Sequence, residues 1–353
     1  MFKDTQDSAL EAGLKYVVNL NTEAITRRRR GKGFSYENPE GRTIRDPEIL
    51  DRIRSLAIPP AWEKVRICPD SRGHIQAVGK DARGRKQYIY HPLWNEIRSR
   101  AKFDELRDFL LALPRIRRNV RHDLARAGFP KKKVLALLVT LMEQTLIRVG
   151  SDKYARDNKS FGLTTLENTH LDTSCPGLCL SFPGKQGKQI SVSLDDRRLI
   201  RLLHRIQELP GQRLFQYVDA QGEIVQLDSA DLNEYLKQIS KREVTAKDYR
   251  TWGGTLLAMG AFELLERPRT ARKRKKTEQD AVRLVAQALH NTPSVCRKYY
   301  IHPRVIEAWN QGKLEAALQE GGQRARRNKR ELSRIEEGLL LLLQKKTRKT
   351  EWD

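Results

Sequence analysis

Two adjacent tyrosines, Tyr299 and Tyr300, end a short basic segment that follows a Thr-Pro turn at residues 292–293. A free phenol has a pKa of about 10 and is a weak nucleophile at neutral pH. A tyrosine that attacks a phosphodiester therefore needs neighbours that neutralise negative charge on the phosphate. The alternative for such a pair is a half-buried packing contact, because tyrosine is amphipathic. Companion residues elsewhere in the chain must decide between the two interpretations.

Three cationic side chains could serve as such companions. They are Arg148, at the end of an apolar helical stretch, Lys185, at the tip of a Gly-rich turn, and Arg250, next to a helix-start signal. Two guanidiniums, one mobile ammonium and one phenol suit metal-free phosphoryl transfer, which must neutralise the non-bridging oxygens and protonate the leaving oxygen. Each also has an ordinary alternative, such as capping helix carbonyls or lying in solvent. Spacing alone does not bring them together.

The overall charge indicates a polyanionic partner. The 353 residues include 68 Lys and Arg against 44 Asp and Glu, which gives a formal net charge of +24. This favours nucleic acid, bound with a strong dependence on salt. An anionic membrane surface is the competing partner, but the sequence has no run of 18 apolar residues, no signal peptide and no lipidation motif. We therefore expect a soluble intracellular protein that is cytoplasmic and nucleoid-associated, with no membrane partner.

The cysteines do not indicate a metal site. They are Cys68, Cys175, Cys179 and Cys296. Four are too few for a disulfide framework, and they lack the two-pair spacing of a zinc finger. Cys175 and Cys179, with His170 nearby, would still need a fourth ligand. Since no metal-carboxylate cluster or phosphate-loop motif is visible either, we expect no metal and no cofactor.

Residues 1–100 are rich in strand and turn signals. The four arginines at residues 27–30 are expected in a cationic loop. The last predicted strand alternates so that Tyr88 and Tyr90 share one face, where aromatic, polar and cationic groups suit contacts in a DNA groove. An ordinary half-buried strand is the alternative. The predicted elements are a helix at residues 46–56, strands at residues 65–68 and 74–78, and a strand that carries Tyr88 and Tyr90 after a basic turn beginning at Gly79.

From about residue 100 the pattern becomes helical, apart from three short strands that end near residue 194. The helix at residues 133–149 is apolar on more than one face, so we expect it at the buried centre of a second domain. Residues 267–276 include seven basic residues and are interpreted as a flexible linker facing DNA. A capping box at residues 245–248 starts a long helix. The other predicted helices cover residues 103–113, 120–127, 196–209, 281–289 and 329–345.

Five short motifs follow one another along the second part of the chain. They are LIRVGSDKY at residues 146–154, FGLTTL at 161–166, PGK at 183–185, KDYRTWG at 247–253 and NTPSVCRKYY at 291–300. Together with GRKQYIY at residues 84–90, they resemble the motifs of the poxvirus-like and bacterial type IB DNA topoisomerases. The resemblance covers most of the chain, and five motifs in the right order make it specific.

This resemblance implies an α+β fold whose two domains form a clamp around duplex DNA. A small β-rich DNA-binding domain would cover residues 1–100. A larger, mainly helical catalytic domain with a short three-stranded sheet, of the type shared with tyrosine recombinases, would cover residues 101–353. The implied activity is relaxation of positive and negative supercoils by transient single-strand cleavage, swivelling and religation, without ATP or a metal. Double-stranded DNA is the expected partner of what we expect to be a monomer.

Roles for individual residues also follow from the resemblance. Tyr300 would attack a phosphodiester to form a 3′-phosphotyrosyl link and free a 5′-hydroxyl. Arg148 and Arg250 would hold the pentacoordinate transition state, and Lys185 would act as general acid on the 5′-oxygen. Asn291 would donate a neutral hydrogen bond to a phosphate oxygen at a position where viral members of the family have a histidine.

Some assignments remain open at this point. Counting from the Thr-Pro pair selects Tyr300 as the nucleophile and leaves Tyr299 as the alternative, while His290 is treated as a structural neighbour of Asn291. A tyrosine recombinase would use the same chemistry, although such enzymes usually have a His-x-x-Arg motif where this chain has Lys-Asp-Tyr-Arg250. A non-enzymatic DNA-binding protein with this fold is the third hypothesis. The expected duplex contacts are Gln87, Tyr88, Tyr90 and Tyr154.

Overall fold

A computed structural model describes residues 5–20, 23–172, 177–327 and 331–344. The chain divides into two compact units, residues 1–102 and residues 103–353. The first unit contains the larger sheet, while helices dominate the second. The predicted α+β class is thereby confirmed.

The first unit is built on a five-stranded antiparallel sheet of order β2-β1-β3-β4-β5. Its strands are β1 Ile25–Arg30, β2 Gly33–Glu37, β3 Glu63–Ile67, β4 Ile75–Lys80 and β5 Lys86–Tyr90, and its helices are α1 Thr5–Glu11 and α2 Pro47–Ser55. The predicted helix at residues 46–56 is confirmed, because the Asp46 carboxylate accepts from the N–H groups of Glu48 and Ile49 and so caps α2. Ile53 of α2 packs with buried strand residues such as Ile67.

The expectation of a cationic loop at residues 27–30 is wrong, since these arginines lie in β1 and pair with β2. Arg27 is 9% exposed, and its guanidinium donates to the carbonyl oxygens of Ile58 (3.3 Å) and Pro59 (3.1 Å). Arg28 instead forms an exposed ion pair with Glu37 (2.9 Å). Alternation along a strand separates neighbouring side chains, so one arginine of the run supports the fold while others remain at the surface.

The second unit contains most of the helices and two small antiparallel sheets. The predicted group of three strands is confirmed as a sheet of order β6-β7-β8. Its strands are β6 Leu171–Asp172, β7 Leu178–Pro183 and β8 Gln189–Leu194, and β9 Gln216–Val218 pairs with β10 Ile224–Gln226. Its helices, the first of which begins in the first unit, are α3 Pro92–Leu124, α4 Lys131–Thr145, α5 Asp152–Asn158, α6 Arg197–Gln207, α7 Ser229–Ser240, α8 Ala246–Leu264, α9 Ala271–Ala288, α10 Pro293–Tyr299, α11 Pro303–Asn310, α12 Leu314–Arg327 and α13 Arg334–Gln344.

Two helix predictions differ from the structure in ways that affect the site. The stretches at residues 103–113 and 120–127 belong to one helix, α3, which continues through Pro114. The apolar helix α4 is buried at the core, as predicted, but it ends at Thr145 rather than at residue 149. Leu146 adopts a left-handed conformation (φ 54°) and donates its N–H to Met142, which closes the helix. Arg148 therefore lies in the loop after α4.

The expected flexible linker at residues 267–276 is also corrected. Helix α9 begins at Ala271, and the hydroxyl of Thr270 accepts from the N–H of Lys273 at its start. The predicted start of this helix at residue 281 is therefore ten residues, or nearly three turns, too late. Lysine and arginine are good helix formers. A run of them can therefore form the first turns of a helix whose C-terminal half buries an apolar face.

The last helix, α13, packs on the core as predicted and is held there by a buried ion pair. The Glu336 carboxylate is 1% exposed and accepts from Arg117 at 2.7 Å and 3.1 Å. Arg117 also bonds Glu143 of α4 (2.8 Å). This network joins α3, α4 and α13. Of the predicted range 329–345, residues 329, 330 and 345 lie outside the described part of the chain.

Candidate active site

Tyr300 follows α10, and its backbone is held on both sides. Its N–H donates to the carbonyl of Cys296 (2.9 Å), and its own carbonyl accepts from the hydroxyl of Thr255 (3.2 Å). Gly254 of α8 lies against it, since a Cβ added there would lie 2.8 Å from the Tyr300 carbonyl oxygen. The Tyr300 side chain is half-buried. The phenol is therefore carried on a fixed backbone at the edge of the helical core.

Arg250 stands in the second turn of α8 and is 6% exposed. Its guanidinium donates to the carbonyl oxygens of Leu146 and Leu289, the latter at 2.9 Å, and its Cζ lies 5.1 Å from the centre of the Tyr300 ring. Its Nε is buried without a hydrogen-bond partner, and no carboxylate pairs with it within the described ranges. A buried cation without a counter-ion is costly. The arrangement therefore suits an anion arriving beside Tyr300.

Arg148 shares this space from the loop after α4. Burial lowers the pKa of its half-buried guanidinium, the positive charge of Arg250 lowers it further, and Tyr300 acts in the opposite direction. Its carbonyl accepts from the N–H of Leu163 (2.9 Å), which ties this loop to the FGLTTL segment. The guanidinium itself makes no hydrogen bond or ion pair within the described part of the chain. Two arginines thus meet beside one tyrosine, and neither charge is cancelled by an acid.

Asn291 begins the segment that leads to Tyr300. Its side-chain oxygen accepts from the N–H of Thr292 (3.1 Å), and its own N–H donates to Ala286 (2.9 Å). With the oxygen occupied, the amide nitrogen is the free end of the side chain, because it has no partner among the residues described. Such a group can donate a neutral hydrogen bond to an anion.

His290, which was predicted to be only a structural neighbour of Asn291, has an unusual backbone conformation and an unusual electrostatic environment. It follows the last turn of α9 in the left-handed region (φ 47°), where glycine is the usual residue. Burial lowers the pKa of its imidazole, and the positive charges of Arg250, Arg148 and Lys188 lower it further. The structure therefore places a neutral imidazole beside the cationic cluster.

Lys185 lies at the tip of the β7–β8 hairpin and is exposed. The base of the hairpin is anchored, since Phe161 donates to Pro183 (2.8 Å) and the Ser160 hydroxyl donates to Gly184 (3.0 Å). No hydrogen bond or ion pair joins the Lys185 ammonium to any residue that the structure describes. The structure thus brings Arg148, Arg250 and Tyr300 together and leaves Lys185 outside their contacts.

The two adjacent phenols have different environments. Tyr299 is the last residue of α10, is 37% exposed, and has the Lys298 ammonium 5.2 Å from its ring centre. Tyr300 is the phenol over which the Arg250 guanidinium stacks. The geometry therefore favours Tyr300 over Tyr299 as the reacting group.

The expected duplex contacts do not form a single face. Tyr88 and Tyr90 stack at 5.8 Å on β5 and are 40% and 36% exposed. Gln87 precedes Tyr88 on the strand, is half-buried, and donates its amide to the Asp81 carboxylate (2.9 Å). Because successive strand residues point to opposite faces, Gln87 is separated from the two tyrosines. Tyr154, in α5 of the second unit, is 54% exposed.

Gly253 and Gly254, which were not predicted as site residues, let two site segments approach α8 closely. A Cβ on Gly253 would collide with Leu146, whose carbonyl holds Arg250, and a Cβ on Gly254 would press on Tyr300. Glycine weakens a helix interior. Two glycines in the middle of a long predicted helix were therefore a readable signal that something packs closely there.

Replacement of Gly254 by alanine should slow the DNA cleavage that the resemblance implies by about 10- to 100-fold, because a displacement of about 1 Å at a reacting group has that order of cost. The added methyl would lie 2.8 Å from the Tyr300 carbonyl oxygen and 3.0 Å from its Cβ. We also expect unfolding to become easier by about 1–3 kcal/mol from overpacking. Single-turnover cleavage and urea denaturation would measure the two effects.

Gly260→Ala is the matched control on the same helix, since a Cβ there would meet nothing within 4 Å. It should leave cleavage unchanged and stabilise the protein by about 0.5–1 kcal/mol, the usual gain of alanine over glycine in a helix. Equal cleavage rates in the Gly254→Ala and Gly260→Ala proteins would contradict a positioning role for Gly254.

His290→Gly should stabilise the protein by about 1 kcal/mol at pH 7, because the left-handed backbone strains a residue with a Cβ. The advantage should grow as the pH falls from 7 to 5. Since the folded protein holds the pKa of His290 below its ordinary value, the unfolded chain takes up the proton first, which costs the parent stability on the acid side. Urea midpoints at both pH values would measure this.

A His290→Asn variant separates the two effects, since asparagine tolerates the left-handed region and does not titrate. Its stability should lack the contribution of His290 titration between pH 7 and pH 5. At pH 7 its free energy of unfolding should lie closer to that of the parent than the value for His290→Gly does. A difference between parent and His290→Gly that is the same at pH 5 and pH 7 would show that the cationic cluster does not act on His290.

Within the described ranges, no three or more His, Cys, Asp or Glu side chains are grouped so that they could hold a metal ion. Cys175 lies outside those ranges, and Cys68 and Cys296 are buried free thiols. No helix of the described segments has both the length and the apolar character needed to cross a bilayer.

A mainly helical unit in which two arginines flank a tyrosine, with a lysine on a nearby hairpin, has the features of enzymes that transfer DNA strands through a phosphotyrosine. Comparison with known proteins narrows this class. The model of the eukaryotic DNA topoisomerase I catalytic core matches residues 93–328, and that of the bacterial DNA topoisomerase IB N-terminal domain matches residues 33–81.

Several relatives are similar over most of their length. DNA topoisomerase 1B of Acanthamoeba polyphaga mimivirus is 32% identical over 297 residues, which cover 81% of this chain and 88% of the relative. DNA topoisomerase I of Monkeypox virus and DNA topoisomerase 1B of Vaccinia virus (strain Copenhagen) are each 24% identical over 281 residues, covering 77% of this chain and 83% of each relative. The chain belongs to the type IB DNA topoisomerase family. It is a DNA topoisomerase, and this membership sets aside the recombinase and the non-enzymatic hypotheses.

Proposed function

We propose that Tyr300 carries out the type IB reaction of this chain, with Arg148, Arg250, Lys185 and Asn291 as its partners. The observation that carries the proposal is the stacking of Arg250, buried and without an acidic partner among the described residues, 5.1 Å from the Tyr300 ring centre. Arg148 shares the same space. Membership of the type IB family supports the reaction class.

In the cleavage step the Tyr300 hydroxyl oxygen bonds to phosphorus as the bond from phosphorus to the 5′-oxygen breaks. The phenolic proton passes to solvent, and Lys185 gives a proton to the departing 5′-oxygen, which leaves as a hydroxyl. Arg148 and Arg250 neutralise the non-bridging oxygens of the pentacoordinate phosphorus, and Asn291 adds a neutral hydrogen bond. The product is a 3′-phosphotyrosyl link.

Swivelling and religation complete the cycle. The cut strand rotates about the intact one, which relaxes positive or negative supercoils, and the 5′-hydroxyl then attacks the phosphotyrosine to restore the strand. Each transesterification exchanges one phosphodiester bond for another, so the cycle needs no ATP. The guanidiniums supply positive charge of the kind that metal ions supply in other phosphoryl transfers, in keeping with the metal independence of the family.

The division of labour along the chain is also part of the proposal. Residues 1–100 would form a β-rich DNA-binding domain and residues 101–353 the catalytic domain, and the two would close as a clamp around the duplex. The exposed side chains of Tyr88, Tyr90 and Tyr154 are available for contacts with DNA. Gln87 would contact DNA through the part of its side chain that is exposed. We propose that the enzyme acts as a monomer in the cytoplasm, on nucleoid DNA.

The direct test is relaxation of negatively supercoiled plasmid by the full chain in EDTA and without ATP. We expect a ladder of relaxed topoisomers and, after rapid addition of detergent, protein covalently attached to a 3′-phosphate end. Tight plasmid binding with neither relaxation nor a covalent complex would contradict the proposal. Relaxation only after a divalent metal is added would contradict the role given to the arginines.

A further inference from the structure

A basic groove runs between α3 and the C-terminal half of α7. It contains two adjoining hollows, a first of about 380 Å³ and a second of about 460 Å³, and Arg115 and Lys241 line both. The groove cations, as we call the positively charged lysine and arginine residues that line the first hollow, are Arg115, Arg126, Lys132 and Lys241. This is a concave and strongly positive site.

The groove is separate from the proposed active site. Lys132 stands in the first turn of α4, whereas Arg148 lies beyond its last turn. A helix rises about 1.5 Å per residue, so the 15 residues of α4 separate the two places by roughly 20 Å. One anion therefore cannot occupy both places at once.

The acid in the groove does not cancel the groove cations. Asp123 is 5% exposed and accepts from Arg126 (2.7 Å) and from the Tyr235 hydroxyl (3.0 Å), so its charge is used within the wall. Arg115, Lys132 and Lys241 are exposed and form no ion pair with any residue in the described segments. Three of the four positive charges are therefore free to meet a ligand.

The walls of the groove are fixed to each other. The Asn119 amide donates to the Arg115 carbonyl (2.9 Å) on α3 and to the Ile239 carbonyl (3.4 Å) on α7. The Asp123–Tyr235 hydrogen bond makes a second link between the same helices. A cavity whose cations stand on braced helices binds an anion with less loss of conformational freedom than flexible surface lysines do.

We propose that this groove binds an oligophosphate, such as inorganic tripolyphosphate or the phosphate tail of a nucleotide. Three unpaired cations around one small cavity match several adjacent phosphate groups. Duplex DNA, whose major groove alone is about 12 Å wide, is too thick to enter a cavity of this volume. Tyr235, which lines the cavity, is buried and offers a base no stacking surface. The exposed His122 imidazole also lines the cavity.

Calorimetric titration of the full chain with tripolyphosphate tests the site. The groove variant Lys132→Gln/Lys241→Gln should bind about tenfold more weakly than the parent. The control variant Lys275→Gln/Lys313→Gln removes the same number of exposed lysines from the second unit and should bind within about twofold of the parent. Equal weakening in the two variants would show that only net charge attracts the anion, and would overturn the proposal.

Two further results would overturn it in different ways. Loss of tripolyphosphate binding in Arg148→Gln, with binding kept in the groove variant, would move the anion to the active site. Loss of duplex affinity in the groove variant beyond that of the control, with tripolyphosphate binding unchanged, would make DNA the occupant. Plasmid relaxation by the groove variant should match that by the control variant. The oligophosphate proposal can therefore be disproved without affecting the proposed topoisomerase activity.

Discussion

Tyr300→Phe lowers the rate of covalent attachment to DNA by at least about four orders of magnitude, because removal of a nucleophile costs on the order of 10⁶ in rate. Duplex affinity should stay within about twofold, since the ring remains under the Arg250 guanidinium and the backbone bonds at Cys296 and Thr255 do not involve the hydroxyl. Transfer of a labelled strand to protein on a denaturing gel measures attachment, and fluorescence anisotropy measures binding.

Tyr299→Phe is the matched control, since it also removes one phenolic hydroxyl, from the residue next to Tyr300. Tyr299 is 37% exposed. It should keep attachment within a few-fold of the parent. Adducts that persist in Tyr300→Phe and vanish in Tyr299→Phe would move the nucleophile to Tyr299. Loss of attachment in both variants together with loss of duplex affinity would indicate a damaged fold rather than damaged chemistry.

Local signals predicted those elements that depend on local contacts. Asp46 caps α2, and the Asp248 carboxylate accepts from the Thr245 N–H (2.8 Å) at the start of α8, as the capping box implied. The three-stranded sheet follows from alternation and turn residues within one short segment. In each case the groups that form the element lie within a few residues of one another.

The active site depends on contacts that no local pattern contains. Arg250 is held by the carbonyl of Leu146, 104 residues away, and by that of Leu289, 39 residues away. The end of α4 was misplaced because Leu146 adopts a left-handed cap that sequence rules assign to glycine. Only the family resemblance proposed the residues that the fold then collects beside Tyr300, and it did not reveal that Gly254 or His290 shares the site.

Two runs of basic residues were predicted as a loop and a linker but form regular secondary structure. The arginines at residues 27–30 form a strand, and one of them supports a loop through carbonyl contacts. The basic residues from Arg272 to Lys276 belong to α9. Repulsion between exposed like charges on neighbouring residues is weak in water and costs on the order of a few tenths of a kcal/mol per pair. Helix propensity, or pairing with a neighbouring strand, can then decide the local structure.

Lys185→Ala should slow cleavage by about 10²- to 10⁴-fold, the usual contribution of a general acid, when the leaving group is the natural 5′-oxygen. With a 5′-bridging sulfur the slowing should fall to roughly tenfold or less, because a thiolate leaves without a proton and has a far lower pKa than an alcohol. Because Lys185 is exposed on an anchored hairpin, its loss should not disturb the Arg250–Tyr300 pair. Single-turnover rates on the two substrates measure the ratio.

Lys188→Ala is the matched control, because this lysine is also exposed on the same turn and its charge acts on His290. Its loss weakens the positive field at the phosphate but does not remove the proposed proton donor. Cleavage of both substrates should therefore slow equally, and by a smaller factor than Lys185→Ala causes with the natural 5′-oxygen. Equal slowing of both substrates by Lys185→Ala would remove Lys185 as the acid. Sulfur rescue in Lys188→Ala instead would assign the role of proton donor to Lys188, whose charge lowers the pKa of His290.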